Sequence, residues 1–247
     1  MKLEKISINK ENLQELGVPL SKNIIIPEYI SDKKWGILWN IIEIEDEAFE
    51  RDPEIESILL PNSIERIGSR AFFECKNLKT INIPKNITEI NDSAFEYCLS
   101  LKRIRFPKNT KKIGSRIFTN CWDLESVELP EECEELGSSI FSWCFSLTNV
   151  TMPKTIKKLK SNFFSNCCKL EKITFPKEIE TICEEAINNC ENLQEIIFPE
   201  KISHIEKNVI TSCGYLKKLK YQGCEYKTPF LFNSMMESQF NECPIWK

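Results

Sequence analysis

Proline recurs at 61, 84, 107, 130, 153, 176 and 199, always at a step of 23 residues. Cysteine keeps that step at 75, 98, 121, 144, 167, 190 and 213, and leucine at 78, 101, 124, 147, 170, 193 and 216. Three residue types held in register through seven copies confine the chain to a repeat architecture. A period of this length means a solenoid, in which one rung cannot bury its apolar face without the next.

Each copy reads physically. The segment Leu101-Lys102-Arg103-Ile104-Arg105-Phe106-Pro107 alternates in and out at its end and makes a short strand. Proline ends it, because it cannot donate the next ladder hydrogen bond. An apolar pair and a glycine follow, as in Ile113-Gly114 and Leu136-Gly137, where glycine permits a bend. Then comes Ser93-Ala94-Phe95-Glu96-Tyr97-Cys98. Phe and Cys three apart, with Leu three further on, suit a short helical turn on the far side. Ser69, Ser93, Ser115 and Ser138 stand where they would cap that turn.

The ends depart from the period. Leu3-x-x-Ile6-x-Ile8 has the spacing of Leu78-x-x-Ile81-x-Ile83, and Leu13-x-x-Leu16-Gly17 that of Ile64-x-x-Ile67-Gly68. Residues 1–26 therefore read as a shortened rung. An insertion near Ser31–Asn40 carries Trp35 and Trp39 and reads as a plug over the open end of the core rather than a binding loop. After an insertion at 222–228, a partial rung from Pro229 with Phe232, Met235, Phe240, Cys243 and Trp246 reads as the closing cap. The expected organisation is an N-terminal cap over 1–40, a solenoid over 41–221 of one partial and seven full repeats, and a capping half-rung over 222–247.

The run Leu78-x-x-Ile81-x-Ile83-Pro84-x-x-Ile87-x-x-Ile90, then Ala94-Phe95-x-x-Cys98, resembles the BspA-like class of leucine-rich repeat. The resemblance covers about 41–221 well and the ends loosely. Asp52 stands in place of the Cys in the first rung, and Asn91, Lys160, Cys183 and Glu206 in place of the Gly. The implied fold is an α/β repeat solenoid, with one short parallel strand per rung and short helical turns or irregular segments on the convex side. The implied function is binding: a non-enzymatic protein–protein interaction scaffold, or a surface adhesin recognising proteins of a host or of other cells.

Composition gives the bounds. A net charge of −4 does not point to nucleic acid or to an anionic membrane surface. No run of about 18 apolar residues predicts a span, so membrane insertion is not expected. The charged N-terminus lacks the apolar core of a signal peptide, so a cytoplasmic location is expected, with the cell surface reached only by a nonclassical route. The 12 cysteines are expected as reduced, buried thiols packing as small hydrophobes. A redox-responsive or metal-binding thiol ladder is the further alternative, since rungs about 5 Å apart approach disulfide reach. No C-x-x-C pair, phosphate-binding glycine motif or cofactor fingerprint occurs. The lone histidine, His204, is expected on a rung edge and not in a catalytic triad. Neither an enzyme, a cofactor nor a metal site is predicted.

Two features exceed a bare scaffold. Charge is banded: Lys102, Arg103, Arg105, Lys108, Lys111 and Lys112 run without an acid, Asp123 to Glu135 without a base, and Lys154 to Lys160 without an acid. The bands pair as ladder-wise ion pairs, or they pattern a face for a charged partner. Lys102, Arg103, Arg105, Glu125, Glu128, Thr148, Asn149 and Thr151 are expected to line the concave strand face, where solenoids bind. Aromatic and apolar side chains also flank the cysteines at Tyr97, Leu99, Trp122, Trp143 and Phe145. They form an exposed contact patch, or they fold over neighbouring turns and finish half buried.

Overall fold

The computed structural model of the protein describes residues 2–32, 37–200, 202–221 and 224–226. Trp35 and the expected half-rung from Pro229 onwards lie outside the described residues.

The chain coils into a parallel β-solenoid of about eight turns. Each full rung contributes a strand to two ladders rather than to one. The first ladder uses the L-x-x-I-x segments. Its strands are β2 (Asn23–Ile25), β5 (Ser57–Leu59), β7 (Thr80–Ile81), β9 (Arg103–Arg105), β11 (Ser126–Glu128), β13 (Asn149–Thr151), β15 (Lys172–Thr174), β18 (Glu195–Ile197) and β21 (Lys218–Tyr221). The second uses the apolar pair after the proline. It runs through β1 (Lys2–Ile8), β4 (Ile37–Ile44), β6 (Arg66–Ile67), β8 (Glu89–Ile90), β10 (Lys112–Ile113), β12 (Glu135–Leu136), β14 (Lys158–Leu159), β16 (Thr181–Ile182) and β19 (His204–Ile205). Registers step by one repeat, as in Ile104↔Val127↔Val150, so equal repeat positions form straight rows.

The third wall corrects the helical expectation. Each rung turns there through consecutive β-turns. Ser93 O accepts from Glu96 N at 3.1 Å and Phe95 O from Cys98 N at 3.2 Å. Ser93, Phe95 and Tyr97 send their N–H groups to the next rung's Ser115, Ile117 and Thr119 carbonyls at 2.8, 3.1 and 2.9 Å. An α-helix would spend those donors four residues back. Two residues per rung are left-handed, for example Ser93 and Tyr97 at φ 57° and 62°, which a right-handed helix excludes. The three-residue spacing of Phe and Cys is therefore a turn spacing. In the last described rungs the wall tightens into strands β17 (Ile187–Asn188) and β20 (Ile210–Thr211). The one helix among the described residues is α1 (Lys10–Glu15), so the α/β label does not hold.

The serines do not cap helices either. Asp46 and Asp92 Oδ1 accept from Ser69 and Ser115 N at 2.8 and 2.7 Å, and Ser115 Oγ from Ser138 N at 3.3 Å. These bonds run from rung to rung. Glycine's role also differs from the expected bend: a Cβ on Gly114 would meet Asp92 N of the preceding rung at 2.5 Å. At that position it is close approach that favours glycine.

The core is a set of stacked rows. Phe49, Phe72, Phe95, Phe118, Phe141 and Phe164 stack with centroids 5.3 to 6.0 Å apart and planes within 14°. Each such pair contributes about 0.5–1.5 kcal/mol beyond area burial. Beside them the Cys thiols do more than fill space. Cys75, Cys98, Cys121, Cys144, Cys167 and Cys190 donate to the carbonyls of Phe49, Phe72, Phe95, Phe118, Phe141 and Phe164 at 2.8–3.3 Å. One residue type supplies an apolar body and a donor for a buried carbonyl.

The N-terminal end replaces the repeat by other means. β1 joins the second ladder beside β4, not the first as its spacing suggested. Leu13-x-x-Leu16-Gly17, which matches Ile64-x-x-Ile67-Gly68 in spacing, instead begins inside α1, with Asn9 and Asn12 in a reciprocal capping box. β3 (Tyr29–Asp32) folds antiparallel onto β4. Trp39, half buried, packs against the core. Asp52, the residue in the Cys position of the first rung, is buried and takes Lys10 of α1 at 2.5 Å. At the other end β22 (Cys224–Tyr226) returns antiparallel along β21.

Ten cysteines, from Cys75 to Cys213, are free thiols, and nine of them are buried. Burial pushes Cys98, Cys121 and Cys144 well above the ordinary 9.0, and Cys75 up to about 12. Unfolded thiols ionise near 9.0 while the folded ones stay protonated. The unfolded state thus binds fewer protons above that pH, and stability falls as pH rises. Urea midpoints measured from pH 8 to 11 should drop, with each titrating thiol contributing up to about 1.4 kcal/mol per pH unit. A flat profile would contradict the buried-thiol core.

Candidate functional site

The outward side chains of the first ladder are free of packing duties, because Ile104, Val127 and their equivalents point inward. Lys102, Arg103, Arg105, Glu128, Thr148, Asn149 and Thr151 are exposed there, and Glu125 is half buried. In register, Arg103 lies beside Ser126 and Arg105 beside Glu128, with Asn149 and Thr151 one rung further on. Arg103 pairs with Glu125 at 3.2 Å.

The first ladder is interrupted between β7 and β9. These strands do not pair, and the ladder resumes as β9–β11–β13, breaks again before β15 and continues as β15–β18–β21. Lys79 N still reaches Glu56 O at 2.8 Å, and Glu125 N reaches Lys102 O at 2.9 Å, on either side of the gap. Asn82 turns away from β9, its amide clamping the Leu60 N–H and C=O at 2.7 and 2.8 Å. A groove of about 600 Å³ opens at the interruption, lined by Lys79, Thr80, Ser100, Lys102, Arg103, Asp123 and Glu125. A second of about 370 Å³ adjoins it through the shared Thr80 and Arg103, and brings in Asn82 and Arg105. Four of the expected strand-face residues, Lys102, Arg103, Arg105 and Glu125, thus meet at one seam. Lys79 is the member that sequence reasoning missed; its signal was its place one repeat before Lys102.

The seam carries four bases against two acids. Lys79 is tied at 2.7 Å to Glu56, whose carboxyl is held below its usual range by the Lys79 and Lys22 ammonium groups. Among the described residues Lys102 and Arg105 show no ion pair. Elsewhere the charge bands are largely consumed between rungs. Lys108 pairs with Glu131, Lys111 with Glu132 and Glu134, Lys112 with Glu89, and Lys160 with Glu135, at 2.8–3.6 Å. The acidic partners push the Lys111 and Lys112 ammonium groups up. Exposed pairs of this kind contribute about 0–1 kcal/mol each. Further along, Lys172 and Lys218 flank Glu195 at 2.6 and 3.2 Å, so these bases are paired between rungs too.

The aromatic residues divide. Trp122 and Trp143 are 45% and 46% exposed. Both rest on the half-buried Phe145, with centroids at 5.9 and 5.8 Å. Leu99 lies in the same row as Trp122 and Phe145, since Asp123 N bonds Leu99 O and Ser146 N bonds Trp122 O, both at 3.1 Å. Tyr97 instead packs edge-on against Phe73 at 5.7 Å, a ring also covered by the Arg70 guanidinium at 4.0 Å.

His204 is exposed on β19, with Thr181 as its register partner. Among the described residues, no group of three or more His, Cys, Asp or Glu side chains is placed to hold a metal ion. No helix among them is long and apolar enough to cross a membrane.

In comparison with known proteins, the family described as BspA type leucine rich repeat region matches in 6 copies, over residues 42–169 and 111–243. A leucine-rich repeat protein of T. pallidum has 23% identity and a TM-score of 0.59, over 96% of this chain and 88% of its own. One from Eubacterium ventriosum has 24% identity and a TM-score of 0.59, over 84% of this chain and 61% of its own. One from Bacteroides ovatus, at 23% identity and a TM-score of 0.49, is covered over 63% of its length. The chain thus spans less than two thirds of two of these proteins, and at such identities the likeness is one of fold. No curated protein matches the chain.

The two exposed indoles generate a prediction. Iodide should quench emission in the native protein, and replacing Trp122 and Trp143 by Phe should lower the quenchable emission to what the other three of the five tryptophans supply. Unchanged quenching in the double variant would place both indoles inside.

Proposed function

This chain belongs to the BspA-type leucine-rich repeat family, and we propose that it is a non-enzymatic scaffold that binds a partner protein at the basic seam between β7 and β9. Rows of outward side chains on a rigid stack offer an extended surface that costs little ordering on binding. The observation that carries the reading is the interrupted ladder. It gives a groove on the strand face, and the groove gathers Lys79, Lys102, Arg103 and Arg105. The partner would present acidic side chains. Those reaching Arg103 would compete with Glu125, and those reaching Lys102 and Arg105 would meet no competing ion pair among the described residues. Thr80, Ser100 and Asn82 supply neutral hydrogen-bonding groups beside the charges. Along the same face, Glu128, Thr148, Asn149 and Thr151 continue the contact row over the next two rungs.

Complementary charge of this kind acts mainly on association rate and register. Binding should therefore weaken as salt rises. Affinity capture from lysate of the source cells, with Arg103→Glu/Arg105→Glu as the control, tests the site. Captured partner should be lost in the double variant, while the melting temperature moves by no more than about 2 °C because exposed charges contribute little. Equal capture by both proteins would discard the seam.

A further inference from the structure

We propose that the exposed indoles of Trp122 and Trp143, with the side-chain amides of Asn120 and Asn166, form a binding site for a neutral oligosaccharide, separate from the basic seam.

The backbone of Trp143 is the first ground. It is left-handed, with φ 63°. The same repeat position is left-handed in every rung and holds Arg51, Glu74, Tyr97 and Ser212 as well as Asn120, Asn166 and Asn189, the last three with φ 61°, 59° and 51°. Asparagine is enriched in that conformation, whereas a bulky residue there is an outlier. Core packing does not account for the choice, because Trp143 remains 46% exposed. The left-handed backbone belongs to the turn wall in general; what sets Trp143 apart is a large indole held there without full burial.

The ring geometry is the second ground. Phe145 sits between the indoles, tilted 49° to Trp122 and nearly perpendicular, at 88°, to Trp143. It props two flat faces from adjacent rungs while staying half buried itself. Indole faces are electron-rich, and the C–H groups on one face of a pyranose are electron-poor, so they pack face to face.

The surroundings are the third. Inter-rung bonds from Asn120 N to Ser142 O and from Trp143 N to Ser165 O, at 2.8 and 2.7 Å, put Asn120 and Asn166 on either side of Trp143. Asn166 is oriented by Asn189, whose Nδ2 donates to its Oδ1 at 2.7 Å. An amide offers both donors and acceptors, the complement of a sugar hydroxyl. Arg116, the nearby cation on this wall, is committed to Glu96 at 3.5 Å. Asp123 is the exposed charge that borders Trp122. Rungs repeat at about 4.8 Å, the scale of one sugar ring, so a linear glycan can run along the rows.

The test is calorimetric titration of the full chain with the tetrasaccharides of β-1,4-linked glucose, N-acetylglucosamine, mannose and galactose. At least one should saturate below about 10 mM. Trp143→Asn installs the residue its neighbouring rungs carry. Trp122→Lys installs the one at the same repeat position in an earlier rung, Lys76. Each should weaken binding at least about tenfold with the thermal melt retained. Asn120→Ala/Asn166→Ala should weaken it with both indoles in place. Arg103→Glu/Arg105→Glu should leave it unchanged, which separates this site from the seam. Saturation by none of the four probes, or full binding in both tryptophan variants, would overturn the proposal.

Discussion

The structure depends on the backbone hydrogen bonds that pass from each rung to the next. They run through both strand ladders and also through the turn wall, where alternate N–H groups reach across instead of closing a helix. A single rung satisfies few of its own polar groups and buries no complete core. Stability therefore accrues at the interfaces between rungs, as the phenylalanine stack and the thiol–carbonyl bonds both show. The ends must be closed by something other than another rung. Here α1, its ion pair with Asp52 and the hairpin at β4 close one end, and β22 turns back along the other.

This constraint sorts every residue by direction. Inward positions repeat because each must match the same position one rung away. Outward positions are released from that match, and both candidate surfaces lie in them. The seam arises where a ladder bond is not made, and the aromatic platform where a left-handed position takes tryptophan instead of asparagine. Both are local departures from a regular stack. Both sit over the central rungs, on different walls.

Much of the architecture was legible in the sequence. The 23-residue step gave the rung, the strand at Arg103–Arg105 and the buried Phe, Cys and Leu rows. Several details were misread or missed, each for a physical reason. Phe95 and Cys98 are three apart in a helical turn and in two successive β-turns alike, so spacing could not separate them. Leu3-x-x-Ile6-x-Ile8 matches the first ladder in pattern, but terminal rungs do not obey the repeat, and β1 pairs in the second. Cysteine was legible as a buried free thiol, but not as a donor, because its acceptor, a carbonyl of the preceding rung, lies 26 residues away in sequence. At the site, Arg103, Arg105, Trp122 and Trp143 were visible as outward departures from the repeat. Lys79 was not, because nothing local marks it.

The sequence alone determined the solenoid, its period, the family resemblance and the identity of the inward rows, since these follow from residue type at fixed spacing. Tertiary structure decided which outward residues act together. Strands β7 and β9 part, Asn82 turns back to Leu60, and Tyr97 goes to Phe73 while Trp122 and Trp143 share Phe145. Those outcomes depend on contacts between rungs, where side chains about 20 residues apart compete for one space. A one-dimensional pattern assigns each position a direction, but only the packed stack shows which neighbours fill the gap.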